Sequence, residues 1–260
     1  MADETPYDAY LNACLQGDVR NPDSFFRDHP GADAEVRGRI ETLFRMLRDG
    51  DGGARPASDG LPFERRGDLR LLQPLHAGGL GAVFLAEQES LGRVVALKLI
   101  RPELQASREA ARRFEREAQA VARLRHPHIV TVHGAGTEKG VAYLAMELVQ
   151  GRRLDDVLAM GEPLTVPRVL RWVAKLARAL DYAHGQGIVH RDVKPSNIRI
   201  TPEDEPLLLD FGVAHEMGAE VTLTTAFTGS PPYAAPEQIQ PDGAVDPRTD
   251  VYALGVTLYQ

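Results

Sequence analysis

A carboxylate, an ammonium and a carboxamide stand close together at Asp192, Lys194 and Asn197. They lie within Val189-His190-Arg191-Asp192-Val193-Lys194-Pro195-Ser196-Asn197, where Pro195 stiffens the chain. A carboxylate so placed can take a proton from an attacking hydroxyl. An ammonium beside it can offset charge on a transferring phosphoryl group. An amide oxygen can ligate a hard divalent metal. Phosphoryl transfer would use all three, and it would also need a second metal-binding oxygen, another cation on the phosphates and backbone N–H groups that can approach them.

The rest of the chain offers a candidate for each requirement. Leu207-Leu208-Leu209-Asp210-Phe211-Gly212 reads as a buried strand ending in a carboxylate, and Asp210 with Asn197 would give a metal two oxygens. Val95-Ala96-Leu97-Lys98 reads as the end of a strand that places Ala96 and Lys98 on one face. Leu75-His76-Ala77-Gly78-Gly79-Leu80-Gly81-Ala82-Val83 is a glycine cluster between two strand patterns. Backbone amides reach phosphates where no Cβ intervenes, although glycine-rich hairpin turns without a ligand are also common. It is not a Walker A loop, since no Gly-Lys-Ser/Thr follows, and Phe84 spoils a dinucleotide fingerprint. Glu103 to Arg125 has a helical pattern in which Glu117, Glu115 and Glu109 are rival partners for a nearby lysine. His126 and His128 form an H-x-H with no further ligands near in sequence, so they read as loop histidines.

These strings, in this order, resemble the protein kinase family, serine/threonine branch, with bacterial phrasing. His190-Arg191-Asp192 to Asn197 matches H-R-D-x-x-x-x-N, and Asp210-Phe211-Gly212 matches D-F-G. Val95 to Lys98 matches V-A-I-K with Leu97 for Ile. The glycine cluster matches G-x-G-x-x-G-x-V, except that His76 stands in the first glycine position. Gly229-Ser230-Pro231-Pro232-Tyr233-Ala234-Ala235-Pro236-Glu237 resembles G-T-P-x-Y-x-A-P-E.

The resemblance implies a role for each residue. Asp192 would act on the substrate hydroxyl, Lys194 and Lys98 on the phosphates, and Glu117 as the partner of Lys98. Leu75, Gly78, Gly79, Gly81, Val83, Ala96, Met146, Glu147 and Val149 would line the ATP site, with Glu147 to Val149 as the hinge. Asn197 and Asp210 would hold Mg²⁺, with Mn²⁺ as an alternative ion. His190 would be structural, packed on Phe211. Arg191 would bind a phosphorylated activation segment, residues 213–234, where Thr222, Thr224, Thr225 and Thr228 are predicted autophosphorylation sites. Ser230 would contact Asp192 and Lys194, and Asp250 would brace the His190-Arg191 turn. Arg199 stands where the family has an apolar floor under adenine.

The elements that must position these groups are legible too. The implied fold is α+β and bilobal: a small antiparallel sheet in the first lobe, an incomplete, mostly helical second lobe, and a helical extension before both. Residues 1–48 read as an acidic helical extension, with helices predicted near Thr5-Pro6, around Phe25-Phe26 and from Asp33 to Arg48. Residues 1–60 hold twelve acidic and seven basic residues, most of the net charge of −7. Residues 49–60, with four glycines and a proline, read as a linker. The first lobe and hinge span 61–150. Strands are predicted at Leu69 to Leu75, Ala82 to Glu87, Arg93 to Ile100 and Val141 to Val149. The second lobe spans 151–260, with helices over 154–187 and a buried face at Leu170, Val173, Leu176, Ala177, Leu180 and Ala183.

Composition excludes several classes. The acidic balance argues against a nucleic-acid surface. The single cysteine, Cys14, excludes an internal disulfide framework and fits a reducing, cytoplasmic setting. No apolar run is long enough to span a bilayer. The expected partners are protein substrates; the acidic extension reads either as a module that docks a partner or the kinase body, or as a helical extension that only completes a core. The matching region stops inside the helix that begins near Asp246, so Glu237 is expected to lack its partner and the last helix to expose apolar surface. The expected function is an ATP-dependent protein serine/threonine kinase. The alternatives are a non-catalytic pseudokinase and a fragment that binds nucleotide or partners.

Overall fold

The computed structural model describes residues 6, 9–10, 21–34, 36–38, 40–41, 65–78, 81–100, 108–138, 141–161, 163–212, 231–240 and 243–260. The chain divides into two compact units, Met1–Leu61 and Pro62–Gln260.

In the first unit, α1 (Pro22–Asp28) starts where Asn21 Oδ1 accepts the Asp23 N–H, with Pro22 at the first helical position. A second stretch of helical backbone at 36–38 and 40–41 is capped by Asp33, whose Oδ1 accepts the Val36 N–H at 2.8 Å. Tyr10, Phe25, Phe26, Ala32 and Ile40 are buried. Tyr10 meets Phe25 edge to face at 4.9 Å.

The second unit opens with strands. β1 (Arg65–Arg66), β2 (Leu69–Gly78), β3 (Gly81–Gln88), β4 (Arg93–Ile100), β5 (Val132–Glu138) and β6 (Val141–Glu147) form one antiparallel sheet, ordered β1-β2-β3-β4-β6-β5. Alternation gives the sheet two faces. Leu69, Leu71, Phe84, Ala86, Val95, Leu97, Leu99 and Ala145 pack together on one. On the other, Leu144 and Met146 join the core that continues through α2 (Arg108–Val121) into the second lobe. α2 buries Phe114, Ala118 and Val121, one helical stripe, and exposes Glu115, Arg116 and Gln119.

The second lobe contains β7 (Arg152–Arg153), α3 (Leu154–Ala159), α4 (Val166–Gly185), β8 (Ile198–Ile200), β9 (Pro206–Leu208), α5 (Pro236–Ile239) and α6 (Pro247–Tyr259). β7, β8 and β9 form a small antiparallel sheet. Gly151 enters β7 at φ 120°, and a Cβ there would stand 2.1 Å from the Ile200 carbonyl oxygen. The turn after α2 is tied into the second lobe by two backbone bonds, Val130 N–H to Leu208 O and Leu208 N–H to His128 O, both 2.9 Å.

The buried face of α4 keeps Leu176, Leu180 and Ala183 of the predicted one and differs at its edge. Trp172, Leu176, Ala179, Leu180 and Ala183 are buried, whereas Leu170 is 53% exposed and Ala177 is exposed. The β8–β9 turn is responsible. Its Asp204 carbonyl accepts the Trp172 indole N–H at 3.0 Å, and its Asp204 and Glu205 carboxylates hold Arg168 and Lys175. That hairpin covers the Trp172 side of the helix and turns Leu170 outward. No helix among the described residues is long and apolar enough to cross a membrane.

Candidate active site

Hydrogen bonding fixes the turn that carries Asp192. Arg191 sits at φ 68°, a left-handed conformation that costs a non-glycine residue free energy and needs support from its surroundings. Asp250, fully buried near the start of α6, supplies part of that support. Its Oδ2 accepts the His190 N–H and its Oδ1 the Arg191 N–H, each at 2.8 Å. His184, near the end of α4, sets its Nε2 at 2.7 Å from the same Oδ2 and must donate, because an ionised carboxylate only accepts. The sequence reading missed His184. Its only signal was a histidine in a last helical turn, six residues before His190.

His190 is fully buried and structural. Its Nε2 donates to the Leu209 carbonyl at 2.8 Å, its Nδ1 accepts the Asp192 N–H at 3.3 Å, and its ring lies 4.6 Å from that of Phe211. Both nitrogens are assigned by their partners, which gives the Nε2–H tautomer.

Asp192 is flanked as a reactive carboxylate would be. Lys194 Nζ lies 2.7 Å from its Oδ2, and Asn197 Nδ2 donates to both its carbonyl oxygen and Oδ2 at 2.8 Å. These bonds use the nitrogen of the Asn197 amide, so the oxygen is what Asn197 can offer a metal. Leu209 N–H donates to the Asn197 carbonyl at 2.8 Å, which sets Asp210 beside this loop. Asp210 sits at φ 51°, and its buried Oδ1 has no hydrogen-bond partner among the described residues. An unpartnered carboxylate oxygen and an amide oxygen on neighbouring loops are donor types that suit Mg²⁺.

The opposite wall comes from the sheet. β3–β4 pairing puts Val83 opposite Lys98 and Leu85 opposite Ala96, and β4–β6 pairing puts Ala96 opposite Met146. Val83, Ala96, Lys98 and Met146 therefore share one face. Gly78 pairs with Gly81 across the β2–β3 hairpin, and His76 pairs with Val83. Gly81 takes φ 155°, where a Cβ would stand 1.9 Å from the Leu99 carbonyl oxygen, so this position admits only glycine. Leu75 lies in β2, where the ladder is irregular between Pro74 and His76.

Three expectations need correction or placing. Lys98 Nζ lies 3.0 Å from Asp210 Oδ2, while Glu117 Oε1 lies 4.0 Å from Arg191 Nη1, so the expected Lys98–Glu117 pair is not formed. The buried stripe Phe114, Ala118 and Val121 sets the rotation of α2 and turns Glu117 toward Arg191. Glu237 does have a partner: Thr249 Oγ1 donates to its Oε1 at 2.7 Å, because α5 packs beside the start of α6. Arg199 sends its guanidinium to the hinge, where Nη1 donates to the Val149 carbonyl at 2.9 Å. Gly79, Thr222, Thr224, Thr225, Thr228 and Ser230 lie outside the described residues. The last helix does expose apolar side chains: Val251, Tyr252, Leu258 and Tyr259.

Comparison with known proteins agrees with this geometry. Residues 69–260 match the protein kinase domain family. The serine/threonine-protein kinase pkn3 of Myxococcus xanthus is 42% identical over 193 residues, covering 70% of this chain and 35% of that protein. The serine/threonine-protein kinase PknA of Mycobacterium tuberculosis is 42% identical over 200 residues, covering 75% of this chain and 46% of that protein. The PknI kinase domain of Mycobacterium tuberculosis superposes with TM-score 0.64 at 35% identity, covering 76% of each chain. The chain thus spans less than half the length of these two curated relatives.

Proposed function

The chain belongs to the protein kinase domain family, and from that premise we propose that it is a bacterial protein serine/threonine kinase, moving the γ-phosphoryl group of ATP to serine and threonine hydroxyls. The observation that carries this reading is the Asp192 carboxylate, held by both Lys194 Nζ and Asn197 Nδ2. Held this way, Asp192 orients an incoming hydroxyl and takes its proton, while Lys194 offsets charge on the transferring group. Mg²⁺ bound by Asn197 and Asp210 would supply charge neutralisation on the phosphates. Lys98 is 3.0 Å from Asp210 in this arrangement and is within the same face as Ala96 and Met146. We assign Lys98 to the α- and β-phosphates, and Glu117 as the partner it gains when it leaves Asp210.

The adenine is assigned to the hinge, Glu147 to Val149, against Met146, Ala96, Val83 and Leu75, with Gly78, Gly79 and Gly81 over the phosphates. The pairing of Gly78 with Gly81 supports that assignment. Thr222, Thr224, Thr225 and Thr228 are assigned as autophosphorylation sites, Arg191 as the cation that receives the phosphate, and Ser230 as a contact of Asp192. The protein is to be incubated with γ-labelled ATP, Mg²⁺ and casein beside the Asp192→Asn variant. Label on casein and on at least one of the four threonines is expected. Nucleotide binding without label above the variant would replace this reading with the non-catalytic one.

A further inference from the structure

The left-handed Arg191 turn is gripped from a second side. Asp250 takes the Arg191 N–H, and the carbonyl of the same residue accepts from Gln238 Nε2 at 2.8 Å. Gln238 lies in α5, and its Oε1 accepts the Ala235 N–H at 3.1 Å. One end of its amide meets a donor and the other an acceptor, so the orientation of the group is set by its partners.

The side chains closest to it in length or shape do not satisfy both ends at this reach. Glutamate has the length but, ionised, cannot donate. Lysine and arginine cannot accept. Asparagine is one methylene short.

The neighbouring contacts make Gln238 one member of a closed frame. Glu237 accepts from Thr249, Gln238 donates to Arg191, and Asp250 accepts from Arg191 and His190. Two adjacent residues of α5 and two adjacent residues of α6 thus hold each other and the peptide groups just before Asp192. Thr249 and Asp250 are fully buried, so this frame is not a surface arrangement. Asp250 alone would leave the Arg191 carbonyl, and with it the following peptide plane, without this partner.

We propose that Gln238 is a positioning residue for phosphoryl transfer: through the Arg191 carbonyl it fixes the direction in which Asp192 leaves the turn. It does not touch the reacting atoms. The proposal rests on the kinase reading above for its catalytic consequence, and on the Gln238–Arg191 bond alone for its structural one.

Two variants separate positioning from bulk stability. Gln238→Glu keeps the shape and the acceptor for Ala235 N–H, and loses only the donor. Gln238→Ala loses both. For Gln238→Glu, kcat is expected to fall about tenfold at pH 8, the effect of one hydrogen bond that matters in the transition state, with KM for ATP unchanged. The deficit is expected to shrink only as the pH falls below about 5, toward the ordinary glutamate range, because the introduced carboxyl group, once protonated, donates again to the carbonyl. Hydrogen exchange of the peptide 189–197 is expected to quicken in both variants, with α4 unchanged.

Wild-type kcat and wild-type exchange in both variants would overturn the proposal. So would a pH-independent loss in Gln238→Glu accompanied by faster exchange throughout the second lobe, the mark of a merely structural residue. Exchange decides the strut even where the wild-type chain transfers no phosphate, an outcome that counts against the kinase reading alone.

Discussion

Across the cleft, the Asp192 turn and the sheet wall are secured by different means. The turn has a partner for almost every polar group: Asp250 for two N–H groups, His190 for a third, and Gln238 and Asn197 for two carbonyls. On the wall, backbone register carries Val83, Ala96, Lys98 and Met146, but the charged tips of Lys98 and Glu117 rest on ion-pair contacts with Asp210 and Arg191. Buried hydrogen bonds are costly to leave unmade, whereas a part-exposed ion pair contributes little. The turn is therefore built to stay in one geometry. Lys98 and Glu117 are held loosely enough to exchange partners without breaking the fold, which is what the role proposed for Lys98 asks of them.

The largest test of this contrast is Asp250→Ala. It strands the N–H groups of His190 and Arg191 in the interior and leaves His184 unmatched, so a loss of about 3 kcal/mol or more is expected in urea unfolding. A loss below about 1 kcal/mol would break the comparison, since the turn would then be no better secured than the wall. Glu117→Gln probes the other side. Stability should change by less than about 0.5 kcal/mol, because Glu117 is a quarter exposed and keeps its length and shape as glutamine, while phosphoryl transfer falls by about tenfold or more. Matched unfolding curves and initial rates check both halves.

Arg199→Leu sharpens the boundary between the two regions. Removing the guanidinium frees the Val149 carbonyl at the hinge, so KM for ATP should drop about threefold with kcat little changed. A raised KM would mean that Arg199 helps to hold nucleotide. Asp246→Ala should have the smallest effect. Asp246 caps α6 through the Arg248 N–H, and bonds from the Arg248 side chain and backbone lower its carboxyl below the usual value. A depressed folded-state pKa gives stability that is present above the unfolded pKa and lost as pH falls through the folded value. The melting-temperature difference between wild type and Asp246→Ala should therefore be small at pH 7 and vanish under strongly acidic conditions.

Much of the site could be read from residue order. Asp192, Lys194, Asn197 and Asp210 declare their chemistry by type and spacing, and the three residues of the 189–197 stretch do come together in space. The strands at 69–78, 81–88 and 93–100 were legible because they are short runs rich in Val and Leu, broken by glycine and charged residues. The edge of the α4 buried face was not. Leu170 carried the apolar pattern, yet Trp172 is buried, because a hairpin about thirty residues later supplies the partner for its indole. His184 and Gln238 were equally silent, since each acts on a group that sequence distance hides.

The sequence alone determined which groups are available for chemistry and which local elements carry them, because residue type and near-neighbour spacing fix reactivity and hydrophobic period. Tertiary structure decided which partner each charged group has. Lys98 faces Asp210, Glu117 faces Arg191, Glu237 faces Thr249, and Asp250 holds a turn about sixty residues upstream. The reason is physical: an ion pair or a buried hydrogen bond depends on distance in space, and that distance is set by how helices rotate as they bury their apolar stripes.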